Sequence, residues 1–174
     1  MTNIGEFNAY YFHTIKDCAC GDISLAATVF NADLSQVAEV VKMSRSTIQY
    51  LSCSTVAIAE PTFIQNDLTK SVDIGNQEII SILNHEYLSM IRHLSVQSER
   101  LAQLTTRIPL DMNRMIKSLT AQEIRRIAAS NKLLFRFALP AKSLAKANSA
   151  EHRKSSSLFI NHIALMTSSF AMAA

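Results

Sequence analysis

Glycine, proline and cysteine occur only three times each in the 174-residue chain, and tryptophan does not occur at all. So few glycines and prolines argue against a loop-rich sandwich and for helices. Three cysteines cannot close a dense disulfide framework of the secreted kind. Cys18-Ala-Cys20 with His13 falls short of the four closely spaced ligands of a structural zinc site, and Cys53 is distant. The expectation is small buried thiols, with no metal and no cofactor. No uninterrupted apolar run reaches the length that crosses a membrane. The first ten residues carry Glu6 and no basic residue, unlike a signal peptide. The greasiest stretch, 158–174, is broken by Asn161, His162, Thr167, Ser168 and Ser169 and has no basic residue for an anionic surface. It reads as a closing helix. A cytoplasmic protein without membrane contact is expected. The five histidines are scattered, and no HExxH, GxSxG or P-loop spacing occurs, so no enzyme is expected.

Apolar residues make up 48% of the chain, enough for a packed core in one compact domain or two very small ones. The net charge of +3 divides unevenly. The first 80 residues hold four basic and nine acidic side chains, a net of −5, and the remainder holds thirteen and five, a net of +8. An anionic partner belongs with the second part.

Helical spacing dominates the second part. Ile80, Leu83, Tyr87, Ile91 and Leu94 form one apolar stripe, which Leu101 and Leu104 extend. Pro109 suits a first helical turn, and Met112, Met115, Ile116 and Leu119 line a short helix. Thr120-Ala-Gln-Glu123 has capping-box form, which starts a helix at Ala121 with Ile124, Ile127 and Ala128 inward and Asn131 as its stop. Leu133, Leu134, Phe135 and Phe137 predict a short extended arm with Arg136 outward. The two short helices resemble a helix-turn-helix in outline only. Arg125 and Arg126 on the outer face of 121–129 can touch phosphate, or can be an ordinary solvated face.

The first part follows the same plan. A gapless shift of 76 residues brings Asn8 onto Asn84, Tyr11 onto Tyr87, Leu25-Ala26 onto Leu101-Ala102, Leu34 onto Leu110, Ile48 onto Ile124 and Ser54 onto Ser130. Apolar character agrees at Ile15/Ile91, Val40/Ile116, Met43/Leu119 and Leu51/Ile127, and Ser44 takes the cap position of Thr120. A unit of roughly 70 residues buries little surface alone. Two such units in one chain are expected to pair. The organisation expected is an acidic unit over 1–60, a linker over 61–78 and a unit over 79–174 with a basic C-terminal segment.

The second unit resembles the FlhD family, the smaller subunit of the flagellar master transcriptional regulator. The resemblance runs from Asn84-His-Glu-Tyr87-Leu88 through Gln97, Ile108, Met112, Leu119-Thr120, Ala128, Asn131, Leu133 and Phe137 to Arg153. The first unit carries a fainter version from Asn8 to about Ala57. The resemblance implies an all-α fold with short extended arms, here two tandem FlhD-like units forming a pseudo-dimer within one chain. Its packing would use Tyr11, Tyr87, Leu88, Ile91, Phe135 and Phe137. It also implies a partner subunit, FlhC-like, that holds zinc, and a joint complex that activates transcription from double-stranded promoter DNA. The family's basic segment corresponds to His152, Arg153 and Lys154, with Lys142, Lys146, Arg125 and Arg126 adding attraction for phosphate. A homo-oligomer is left open.

Two departures matter. The family's arm cysteine, a cross-linking point of its dimer, corresponds to Phe135 here and to Ala59 in the first unit. Gln77 stands where the second unit has Arg153, so DNA contact of the family kind would be one-sided. The alternative is an interaction module, an anti-activator, that binds an FlhC-like partner without touching DNA.

Overall fold

The computed structural model describes residues 3–62, 77–129 and 133–151. Among them are nine helices and one two-stranded ribbon, so the fold is all-α as expected. Helix α1 (Ile4–Ala19) begins where the Asn3 side chain accepts the Glu6 backbone N–H at 2.8 Å. Ile4, Phe7, Asn8, Tyr11, Phe12, Ile15 and Ala19 form its buried face at helical spacing. Lys16, in the last turn, donates to the Met43 carbonyl. Asp22 caps α2 (Ile23–Val29) through the Ser24 and Leu25 amides. Helix α3 (Leu34–Lys42) follows, then Ser44 caps α4 (Arg45–Ser52) through the Thr47 amide. Strand β1 (Ala59–Pro61) ends this stretch.

The order then recurs. Helix α5 (Gln77–Gln97) buries Ile80, Leu83, Tyr87, Leu88, Ile91 and Leu94. Ser98 caps α6 (Glu99–Thr106) through the Leu101 amide. Helix α7 (Leu110–Ser118) and α8 (Ala121–Ala128) come next, then β2 (Phe135–Phe137) and α9 (Ala141–Glu151). The bounds of α3, α4 and β1 become those of α7, α8 and β2 when moved on by 76 residues, the separation between Glu60 and Arg136. The same shift takes Asn31 to Arg107, the two non-glycine residues with positive φ among the described ones, at 47° and 61°. Each holds the left-handed turn that follows its short helix.

The strands pair antiparallel, Ala59 opposite Phe137, Glu60 opposite Arg136 and Pro61 opposite Phe135. Two flanking bonds extend the ribbon: Ala138 N–H to the Ile58 carbonyl at 2.8 Å and Thr62 N–H to the Leu134 carbonyl at 2.9 Å. Each strand is tied to a long helix by a fully buried asparagine. Asn8 Oδ1 accepts the Ile58 amide at 3.0 Å, and its Nδ2 donates to the Val56 carbonyl at 3.1 Å. Asn84 Oδ1 accepts the Leu134 amide at 2.9 Å, and its Nδ2 donates to the Ala128 carbonyl at 3.3 Å. Amides that would otherwise be buried without partners are thereby satisfied.

Under the ribbon lies an aromatic core. The Phe135 ring centroid sits 4.4 Å from Tyr87, 5.2 Å from Tyr11 and 5.6 Å from Phe7, and Phe137 packs edge-on against Tyr11 and Phe12. Edge-to-face and tilted contacts at these separations are the favourable ones for aromatic rings.

Several sequence expectations are corrected. The apolar stripe of α5 does not continue through Leu101 and Leu104, because the Ser98 cap starts a new helix whose exposed side carries them at 46% and 59%. Pro109 sits at the N-cap of α7, before its first turn. Cys20 and Cys53 are exposed and Cys18 is half-buried, so none is a core thiol. Tyr11 and Tyr87 are fully buried. The Tyr11 hydroxyl donates to the Phe30 carbonyl at 3.4 Å, whereas the Tyr87 hydroxyl finds no acceptor among the described residues. Helix α9 had no counterpart in the sequence reading. The expected stop at Asn131 and the closing helix over 158–174 lie outside the described residues.

Burial drives both phenols far above their ordinary value of 10.0, with Tyr87 adding to the effect at Tyr11, and Glu60 at Tyr87. A raised folded pKa gives stability that is whole below pH 10 and is lost as the pH climbs beyond it. Two such groups should cost about 2.7 kcal/mol per pH unit above pH 10. Urea titrations at pH 7 and from pH 9 to 11 check this. Tyr87→Phe should halve the alkaline slope and leave stability at pH 7 equal or up to ~1 kcal/mol higher, since a buried unpaired hydroxyl is itself a cost.

Candidate nucleic-acid and subunit interface

Helix α8 owes its orientation to its first turn and its inner face. The Thr120 hydroxyl accepts the Glu123 amide at 3.2 Å while Glu123 accepts the Thr120 amide at 2.8 Å. Those bonds from Thr120, with Arg126 nearby, hold the Glu123 carboxyl below the usual carboxylate range. Ile124 and Ala128 are buried, and α8 lies against α5. Arg125 and Arg126 therefore point to solvent in the last turn, where cations also complement the helix dipole.

Helix α9 follows Pro140, whose carbonyl accepts the Ser143 and Leu144 amides. It packs against α3 and α4 with Leu144 and Ala147 buried. Asn148 Nδ2 donates to both the backbone carbonyl and the Oε2 of Glu39, each at 3.0 Å. Gln36 Nε2 donates to the Leu139 carbonyl at 2.7 Å, and Gln36 Oε1 accepts the Asp33 amide. Glu39 also pairs with Lys42 at 2.7 Å, and Lys42 first and Asn148 second lower its pKa. Lys142 and Lys146, one turn apart, remain exposed.

The structure thus carries the two basic pairs on separate supports: Arg125 and Arg126 on α8 over α5, Lys142 and Lys146 on α9 over α3 and α4. His152, Arg153 and Lys154 lie outside the described residues. Arg114, Lys117 and Arg136 are engaged locally. Glu99 receives Arg114 Nε and Lys117 Nζ, both at 3.0 Å, and their bonds lower its pKa. Arg136 donates to Glu60 through Nη2 at 2.7 Å and Nε at 2.9 Å.

The residues expected at the packing seam do come together. Tyr11, Tyr87, Phe135 and Phe137 share the aromatic core, and Leu88 and Ile91 are buried in the same cluster. Sequence reasoning missed Phe7, Phe12 and Phe30, which complete it, and the Glu60–Arg136 pair. The pair could have been found from the 76-residue shift, which puts opposite charges at one repeat position. Among the described residues no cluster of three His, Cys, Asp or Glu suits a metal ion, and no helix is long and apolar enough to cross a membrane.

A family model described as flagellar transcriptional activator (FlhD) matches residues 75–173, more than half of the chain. The chain belongs to the FlhD family. The match begins just before α5 and takes in α6, α7, α8, β2, α9 and the residues after them, so every candidate basic residue lies inside it. FlhD proteins are transcriptional activators rather than an enzyme family. No curated protein and no solved structure matches the chain.

Because the cap and the inner face chiefly hold α8, Arg125→Ser with Arg126→Ser forgoes the dipole contact and some helix propensity and should cost no more than about 1 kcal/mol. Asn84→Ala removes two buried bonds and should cost about 2–4 kcal/mol. Urea denaturation of both variants checks the contrast, and the first then serves as a folded probe of binding.

Proposed function

We propose that the protein is a transcriptional activator subunit that reaches promoter DNA together with an FlhC-like partner, the partner supplying the zinc, and that it does so as two tandem FlhD-like units paired within one chain. The observation that carries the DNA reading is the family match over the half whose outward cations, Arg125, Arg126, Lys142 and Lys146, have no ion pair among the described residues while Arg114, Lys117 and Arg136 do. Unpaired cations can displace the counterions of a phosphate backbone at no loss of an internal pair. The paired-unit reading is supported by the bounds of α3, α4 and β1, the Asp22/Ser98 and Ser44/Thr120 caps, the left-handed turns and the buried asparagines, which recur at one spacing.

The mechanism is positioning. The aromatic core and ribbon hold α8 and α9 in fixed relation, and their cations meet phosphates while base reading falls to other contacts of the complex. His152, Arg153 and Lys154, by their place in the matched segment, would add the family's basic contact on one side only.

A second reading is favoured by the net −5 of the first 80 residues, which suits a protein partner better than a second stretch of DNA. In it the chain binds an FlhC-like subunit and keeps it from the promoter.

Co-expression with an FlhC-like subunit, followed by fluorescence anisotropy on promoter DNA over a salt series, separates the readings. For the activator, the log–log salt slope should flatten by about 0.9 for each phosphate contact removed, so by roughly 2 for Arg125→Ser with Arg126→Ser, and again for Arg153→Ala by about 1. An unchanged slope in the complex would remove those residues from the DNA contact. A stable complex that abolishes the partner's own DNA binding would establish the anti-activator.

A further inference from the structure

A two-fold seam between like units sets each position on the axis against its own equivalent. Here the ribbon places Glu60 against Arg136, which are one repeat position apart by the 76-residue shift. A seam of two first units would set Glu against Glu, and one of two second units Arg against Arg, and like charges directly opposite are unfavourable in a ribbon. The neighbouring position is complementary in size. Phe135 touches both Tyr11 and Tyr87, themselves equivalent, so its ring occupies the axis. Its own equivalent is Ala59, also fully buried. Two second units would force two phenylalanines into that one space, and two first units would leave it empty, and both outcomes disturb a packed core.

We infer that the seam is heterotypic by construction: Glu60 opposite Arg136, and a small Ala59 at the repeat position that Phe135 holds in the second unit, let the first unit close on the second within one chain and exclude closure of either unit on its like in a second copy. The inference rests on the paired-unit reading above. Charge and volume act together, since one sets opposite signs at the solvent end of the axis and the other gives one large and one small side chain at its buried end. The consequence is a self-contained pair that does not dimerise through its ribbon and that presents one basic unit per chain.

Cysteine trapping in the full chain tests this, with Cys18, Cys20 and Cys53 changed to serine. Glu60 and Arg136 occupy a hydrogen-bonded pair of the ribbon, where Cα atoms stand about 5.5 Å apart, within disulfide reach. Glu60→Cys, Arg136→Cys and the double variant are oxidised with diamide, and intact mass is read without reductant across a tenfold range of protein concentration. The inference expects the double variant to lose two hydrogens at monomer mass, independent of concentration, and each single variant to stay monomeric. A covalent dimer from either single variant would show a homotypic seam and overturn the inference while leaving paired units standing. Links between chains in the double variant would show units exchanged between chains and overturn closure within one. No link of either kind would overturn the inference together with the ribbon pairing beneath it.

Discussion

The structure depends on the pairing of two three-residue strands that could not survive alone. So short a two-stranded ribbon is marginal in water. It persists here because Asn8 and Asn84, buried on α1 and α5, accept the amides of Ile58 and Leu134 at the strand entrances. Phe135 and Phe137 then turn inward between those helices. The long helices in turn meet largely through the rings that the ribbon delivers. Helices and ribbon are thus mutually conditional, and the chain either side of the ribbon inherits its position: α8 hangs from α5, and α9 leaves β2 and crosses to α3.

Charge is arranged with similar economy. Glu99 of α6 sits between two cations of the next helix, Arg114 and Lys117 of α7. Exposed pairs of this kind add little stability. Their effect is on the field, because they offset two cations of α7 and leave Arg125, Arg126, Lys142 and Lys146 of α8 and α9 as the outward surplus. A net charge of +3 conceals this allocation entirely.

Local signals were legible in the sequence where one residue type decides the outcome. The Thr120–Glu123 box fixed the start of α8, and the alternation at Phe135-Arg136-Phe137 fixed β2 with Arg136 outward. What failed depended on competition between signals. Leu101 and Leu104 keep the spacing of α5, but the Ser98 side chain captures the Leu101 amide and reorients the following helix. Helix α9 is built from alanine, serine and lysine with one large buried residue, Leu144, so its apolar period is faint, and it forms where a face already exists to receive it. The unpartnered Tyr87 hydroxyl was illegible for another reason. The same spacing gives Tyr11 an acceptor in the Phe30 carbonyl, and only the tertiary setting distinguishes the two.

The docking of α9 shows the same asymmetry as the ribbon. Its receivers on the first half are Gln36, which takes the Leu139 carbonyl, and Glu39, which takes Asn148. Moved on by the repeat spacing, those positions are Met112, partly buried, and Met115, 50% exposed. Neither thioether can donate to a carbonyl or receive an amide as a charged oxygen does. The face of α7 therefore lacks the polar contacts that set the register of α9 on α3. A crossing helix from the second half therefore finds on α3 the polar partners that the matching positions of α7 withhold.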